Sequence, residues 1–435
     1  MKRSLYAKLL EWKASSSRKP LVLEGARQVG KTWLLKEFGN NEYENMIYIN
    51  CDNNPQVQAL FSDFDTKRIF RGFSAIANMS ITPGKTLVIL DEVQEVPSAL
   101  TALKYFCEDA PEYHVAVAGS LLGLQVHSGT GFPVGKTDNL TLYPLSFMEF
   151  LGAMEKHILL ERIKSHSWEE LNTFSPQLTE LLRQYYFTGG MPEVVLTYIE
   201  TQDLQKVRQK QKDILVGYER DFSKHVPEKD IPKIRLVWRS VPSQLAKENK
   251  KFIYGALKKG GRAKEFENAI QWLEDAGLIH KVCRVSKMEL PLKFYENFDC
   301  FKLFVNDLGL FGAMADAPAS EILVGNNAFS GYKGSFTEQY VAQQFFSALG
   351  EQLFYYANDN STMEIDFVFQ SAGVFPVEVK AEENLKSKSL SAALKSSPTL
   401  HGIRFSMSNY RKQERMENVP LPLAEEFLKS MLSHV

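Results

Sequence analysis

Four short runs of consecutive apolar residues, Leu21–Leu23, Met46–Ile49, Leu87–Leu90 and Val115–Ala118, punctuate the first third of the chain, with stretches of helical period between them. A strand wetted on one face alternates apolar with polar residues, whereas unbroken Val, Ile and Leu runs belong to strands covered on both faces, as in a parallel sheet sandwiched by helices. The pattern therefore predicts an α/β domain over residues 1–150. Ahead of it, Leu5, Leu9, Leu10 and Trp12 fit one face of an N-terminal helix.

From Glu149 to about Lys224 the apolar period is helical, as in "FLGAMEKHILLERI" and "LTELLRQYYFTGGMPEVVLTYI", which predicts a helical lid over 151–228. Residues 229–300 then read as helices around Ile234–Trp238, Ser243–Lys247 and Ala263–Asp275 followed by strands at "LIHKVCRV" and "LPLKFYEN". Three helices and a two-stranded ribbon describe a winged helix. A Gly- and Ala-rich connection fills 301–334, and 335–435 reads helix, strand, strand, helix, strand.

Composition narrows the class without changing this picture. The 435 residues suffice for two to four domains, and 44% hydrophobic with 24% charged residues is ordinary for a globular protein. With a net charge of -1, any hold on nucleic acid must come from local basic patches. The four cysteines are scattered, with no CxxC pair, and read as reduced, mostly buried thiols. Lys8, Glu11 and Lys13 interrupt the apolar run a secretory signal needs, and no stretch approaches a membrane span, so the expected location is the cytoplasm, with no membrane partner.

The most specific chemistry lies in "GARQVGKT", which matches GxxxxGK[ST] and sits between a predicted strand and a predicted helix. In such a loop (Gly25, Ala26, Arg27, Gln28, Val29, Gly30, Lys31 and Thr32, with Trp33 opening the helix) successive N–H groups face phosphate oxygens. Lys31 would reach the β and γ phosphates of ATP, and Thr32 would ligate Mg²⁺. The strand "TLVILDEVQ" ends in Asp91, a second Mg²⁺ ligand, and Glu92, placed to polarise the attacking water. The bland alternative there is a helix N-terminus with an acidic first turn. At the end of "VAVAGS", Ser120 either meets the γ-phosphate or simply makes a turn; in "TGGMPEVV", Pro192 either lies beside adenine or starts a helix after a glycine terminator.

The ordered set "LEGARQVGKTWLL", "ILDEVQEVP", "AGSLLGL", "LYPLSFMEFL", "FTGGMPEVV" and "FKLFVNDLGLF" resembles the bacterial and archaeal ATP-binding proteins of the AAA+/STAND-like group. The resemblance covers nearly the whole chain and implies an ATPase module, a winged helix and a C-terminal domain similar to restriction endonucleases. Where members often carry a Gly-Arg pair before the "PLSF" segment, this chain has Gly135 and Lys136.

Within the last hundred residues, Glu338 on a helix, Asp366 on the strand "MEIDFVFQ" and Glu378 with Lys380 on "VFPVEVK" follow the order of the PD-(D/E)xK nuclease core. Carboxylates of Glu338, Asp366 and Glu378 would hold Mg²⁺, and Lys380 would orient water or neutralise the transition state. Residues two apart on a strand share a face, so Glu378 and Lys380 converge while Val377 and Val379 turn to the core. A structural ion-pair network explains the same residues. Lys247, Lys250, Lys251, Lys258, Lys259, Arg262 and Lys264 form a basic cluster in the winged-helix segment that could grip DNA or RNA phosphates, opposed by Glu265, Glu267, Glu274 and Asp275 on its last helix. Three readings stay open: an ATP-regulated enzyme acting on nucleic acid, a nucleotide-dependent switch with a binding module at its C-terminus, and a remodeller that forms a homo-oligomeric ring.

Overall fold

The computed structural model describes all residues except 121–134, 248–249, 325–331, 351–352, 359–361, 383–385 and 433–435. It divides into two compact units, one of Lys2–Tyr143 with Asp275–Leu278, the other of Pro144–Glu274 and Ile279–Val435 with Met1.

The first unit begins with helix α1 (Tyr6–Ala14), which buries Leu9 and Trp12 but leaves Leu10 exposed. A five-stranded parallel sheet follows, built from β1 (Leu21–Glu24), β2 (Asn45–Asn50), β3 (Thr86–Asp91), β4 (His114–Ala118) and β5 (Asp138–Thr141) in the order β2-β3-β4-β1-β5. All of β3 and β4 is buried, as their unbroken apolar runs require. The fifth strand reads "DNLT"; at the sheet edge it needs no apolar run, which hides it from periodicity.

Helices α2 (Lys31–Glu42), α3 (Pro55–Leu60), α4 (Thr66–Ala77) and α5 (Pro97–Asp109) link the strands. On α4, Ile69, Phe70 and Phe73 recur at helical spacing and enter one core with Phe61, Phe106 and the inward residues of β2, β3 and β4. Each such aromatic contributes roughly 1.5–3 kcal/mol by leaving water.

In the second unit, Ser146 and Glu149 form a reciprocal capping box at the start of α6 (Phe147–Ala153), which leads into α7 (His157–Lys164), α8 (Ser175–Thr188), α9 (Pro192–Thr201) and α10 (Leu204–His225). Helix α11 (Ile231–Leu245) runs through Pro242 as one element where the sequence suggests two, and α12 (Ala263–Asp275) follows. The ribbon is β6 (Ile279–Val285) with β7 (Glu296–Val305). "LPLKFYEN" is mostly a 3₁₀ turn instead of the predicted strand, because Pro291 has no N–H to give a ladder.

The segment expected as a connection holds the end of β7, α13 (Leu308–Met314) and α14 (Ala319–Val324). The chain continues with α15 (Lys333–Leu349), β8 (Phe354–Ala357), β9 (Glu364–Gln370), β10 (Val374–Val379), α16 (Lys388–Ser396), β11 (Gly402–Ser406), β12 (Arg411–Lys412), β13 (Met416–Pro420) and α17 (Ala424–Leu432). The ribbon does not stand alone: β6 pairs in parallel with β8, giving one eight-stranded sheet ordered β12-β13-β11-β10-β9-β8-β6-β7. Helix α15 is buried continuously from Ser335 to Phe346. Its polar residues therefore need partners, and Gln339 supplies them by accepting from the Val305 N–H (2.9 Å) and donating to the Val305 carbonyl (2.6 Å).

Asp307 holds a second junction. Wholly buried, it caps α13 by accepting from the Leu310 N–H (2.9 Å) and takes the Gly190 N–H on its other oxygen (2.6 Å). Burial pushes its carboxyl up to about 6.

Candidate functional site

In the first unit, β1 ends at Glu24 and the chain turns through Gly25 with φ +153°, where a Cβ would stand 2.3 Å from the Leu142 carbonyl oxygen. Gln28 and Gly30 also take positive φ (67° and 97°), and Gly30 caps α2, whose first residues are Lys31 and Thr32. This left-handed entry leaves the N-terminal N–H groups of α2 without intrahelical partners, an anion site by construction. The Lys31 ammonium folds back on the carbonyls of Gly25 and Ala26, 2.9 Å from each. Burial drags its pKa down to about 8, against the pull of Glu92 and Asp91. Ala26 and Val29 are buried in the loop, Arg27 and Gln28 exposed, and Trp33 is 45% exposed on the first turn of α2.

Parallel pairing in the order β3-β4-β1 sets the end of β3 two strands from this loop. There the Thr32 hydroxyl donates to Asp91 Oδ2 at 2.7 Å, and the Tyr48 hydroxyl donates to the same oxygen at 2.9 Å. Asp91 Oδ1 accepts from the Glu92 N–H. Glu92 has φ +51°, and its Oε2 receives the Gln94 side-chain amide at 2.5 Å. The hard-oxygen pair of Thr32 and Asp91 fits Mg²⁺, since hydroxyl and carboxylate already converge.

Tyr48 and Gln94 escape a reading of motifs. Gln94 lies two residues beyond Glu92 on a 3₁₀ turn, while Tyr48 reaches Asp91 because β2 lies beside β3. Lys36 stands over the Tyr48 ring, 3.4 Å from its centroid.

Ser120 follows the end of β4, next to β1 in the sheet; the rest of "AGSLLGL" lies outside the described residues. Lys136, at the position of the Gly-Arg pair in the group that the sequence resembles, is paired with Glu108 at 2.8 Å. Pro192, in the second unit, is the first residue of α9. The Gly-Gly step before it serves close packing: a Cβ on Gly189 would lie 2.3 Å from Asp307 Oδ1, and one on Gly190 2.0 Å from the Leu145 carbonyl oxygen.

The remaining sequence-predicted residues meet in the second unit. Strands β9 and β10 form a hairpin across Ser371–Gly373, and their ladder ends at Val377 opposite Phe367. Beyond that pair β10 turns to β11, the Lys380 N–H donating to the Phe405 carbonyl. The Val379 N–H is instead taken by Asp366 Oδ2 at 2.7 Å. Burial and the neighbouring charge of Glu338 push the Asp366 carboxyl well above the usual range. Burial works the same way on Glu338, but the ammoniums of Lys250 and Lys302 outweigh it and hold Glu338 below its ordinary value.

Glu378 and Lys380 do converge, at 2.6 Å. The other oxygen of Glu378 accepts from the Leu390 N–H in the first turn of α16 (3.2 Å). Two separate groups thus form, Glu338 and Asp366 as charged neighbours and Glu378 paired with Lys380, and among the described residues no three His, Cys, Asp or Glu side chains converge to hold a metal.

Sequence reasoning missed Lys302, whose side chain is wholly buried between Glu364 (2.6 Å) and Glu338 (3.8 Å). It read Lys250 as part of a phosphate-gripping cluster, but the structure pairs Lys250 with Glu338, and Lys258 with Glu265. Beside the end of β10 opens a cleft of about 850 Å³ lined by Arg183, Lys333, Thr337 and Ala381, with Glu180 and Glu382 as its acidic members. The Arg183 and Lys333 side chains make no ion pair among the described residues.

Residues 179–321 match a "Domain of unknown function (DUF8612)" and residues 333–424 a "Domain of unknown function (DUF4143)". No curated protein matches the chain. Similar solved structures include the Walker-type ATPase PABY2304 of Pyrococcus abyssi, 14% identical with a TM-score of 0.46 over 72% of this chain and 95% of that one. They also include the Aeropyrum pernix ORC1 protein in complex with DNA (11%, TM-score 0.29, 73% and 92%) and AMPPCP-bound DnaA from Aquifex aeolicus (16%, TM-score 0.27, 62% and 86%). Residues 17–151 match the AAA domain, and with the loop, helix and acidic strand end described above this part of the chain is an AAA-type ATPase domain.

Proposed function

We propose that the chain binds ATP with Mg²⁺ at Gly25–Thr32 and hydrolyses it, and that its C-terminal segment is a nuclease-like module that binds nucleic acid in response to the nucleotide. The observation that carries the first half is the hydrogen bond from Thr32 to Asp91, with Glu92 on the next residue. Thr32 and Asp91 would hold the Mg²⁺, which when bound neutralises charge building on the phosphates. Lys31 would leave the carbonyls of Gly25 and Ala26 for the phosphate oxygens, and Glu92, released from Gln94, would take the proton of the attacking water. Ser120, just past the end of β4, would meet the γ-phosphate or that water.

The order α15, β9, β10 with Glu338, Asp366, Glu378 and Lys380, together with the cleft bearing Arg183 and Lys333, supports a nuclease-like module facing phosphates. The separate pairing of its carboxylates favours binding over cleavage. In the test, Lys31→Ala abolishes ATP hydrolysis; unchanged hydrolysis and ATP affinity refute the phosphate-loop assignment. A panel of DNA and RNA with Mg²⁺ or Mn²⁺, with and without ATP, shows retention without cutting. Cleavage lost in both Asp366→Ala and Lys380→Ala would establish the enzyme reading instead.

A further inference from the structure

The acidic pocket of the second unit already contains its counter-charge. The Phe252 N–H donates to the Phe301 carbonyl at 2.8 Å and the two rings stack at 5.5 Å, which ties the stretch after α11 to β7. That tie brings Lys250 and Lys302 together at one carboxylate. The Lys250 ammonium meets Glu338 Oε1, while Lys302 stands 3.8 Å from Oε2 and 2.6 Å from Glu364. Glu338 is 3% exposed, and its Oε2 is buried without a hydrogen-bond partner among the described residues. The two lysines supply the two positive charges that a divalent ion would bring and balance Glu338 and Glu364, while Asp366, pushed up by burial and by Glu338, adds less than a full negative charge. A pocket already neutralised has little to gain from a further cation, which must give up its water to enter.

We infer that the Lys250 ammonium takes the place of a divalent metal at Glu338, so that the native pocket refuses metal and would accept one only when Lys250 is gone. Lys250 is the replaceable member: its side chain is 18% exposed and comes from outside the sheet, whereas that of Lys302 is wholly buried on β7. Removing it leaves the pocket one positive charge short and takes from Glu338 Oε1 its partner. This inference rests on the pocket's own contacts and is independent of whether the first unit hydrolyses ATP.

The test is a Mn²⁺ titration of the full chain without nucleotide, reading free Mn²⁺ by electron paramagnetic resonance. Any ion held at Thr32 and Asp91 is common to every variant and cancels in the comparison. The wild-type and Asp366→Asn chains should give the same isotherm. Lys250→Ala should bind one additional Mn²⁺ per chain, lost again in the Lys250→Ala/Asp366→Asn double variant, and Mn²⁺ should raise the melting temperature of the single variant but not of the double. A wild-type site abolished by Asp366→Asn overturns the inference, since metal would then coexist with Lys250. Absence of a gained site in both Lys250→Ala and the longer, neutral Lys250→Gln, each folded by circular dichroism, overturns it equally.

Discussion

Replacing Asp307 by alanine should destabilise the second unit more in acid than at neutral pH. The carboxylate accepts two buried backbone donors, Leu310 N–H at 2.9 Å and Gly190 N–H at 2.6 Å. Orphaning both costs about 1–3 kcal/mol each. Against this, burial raises the native carboxyl from 3.8 to about 6, and holding it ionised at neutral pH costs ~3 kcal/mol that alanine relieves. A raised carboxyl contributes stability that is fully present below the unfolded value and lost as pH rises through about 6.

Between pH 7.5 and 5 the wild type should therefore recover ~1.4 kcal/mol that Asp307→Ala cannot. Urea unfolding of both proteins at the two pH values measures this, because subtraction cancels the other titrating groups. A difference between the chains that stays constant, or shrinks on acidification, would refute the assignment of Asp307 as a buried, upward-shifted cap.

Glu92→Gln should keep ATP affinity within a few fold while lowering turnover by about 10²–10⁴, a split seen by comparing nucleotide titration with phosphate release. Tyr48→Phe removes one of two hydroxyls on Asp91 Oδ2 and should lower kcat/KM for MgATP about tenfold, from ~1.5 kcal/mol of a hydrogen bond to a charged acceptor, with the fold unchanged by circular dichroism. Gly25→Ala should abolish nucleotide binding in an equilibrium titration, since its Cβ would meet the Leu142 carbonyl oxygen at 2.3 Å.

Features that depend on neighbours along the chain are legible in the order of residues alone. Unbroken apolar runs marked β1, β3 and β4, because a strand covered on both faces has no polar side to alternate with; the run of β2 marked a strand too, but at the sheet edge it buries only Ile47 and Ile49. The pattern "GARQVGKT" announced a phosphate-facing loop, in which Gly25 and Gly30 take positive φ, and the two-residue spacing of Glu378 and Lys380 put their side chains on one side, where they pair.

Which distant groups meet depends on the folded chain. Strand order brought Tyr48 to Asp91; the divergence of β10 from β9 gave Asp366 the Val379 N–H; and the first turn of α16 claimed Glu378. Lys250 and Lys302 could not be assigned to Glu338 from sequence, because no periodicity relates residues 88 and 36 positions apart. Charge and burial act through space, so the same lysine that reads as a phosphate contact along the chain becomes, once folded, the internal partner of a buried carboxylate.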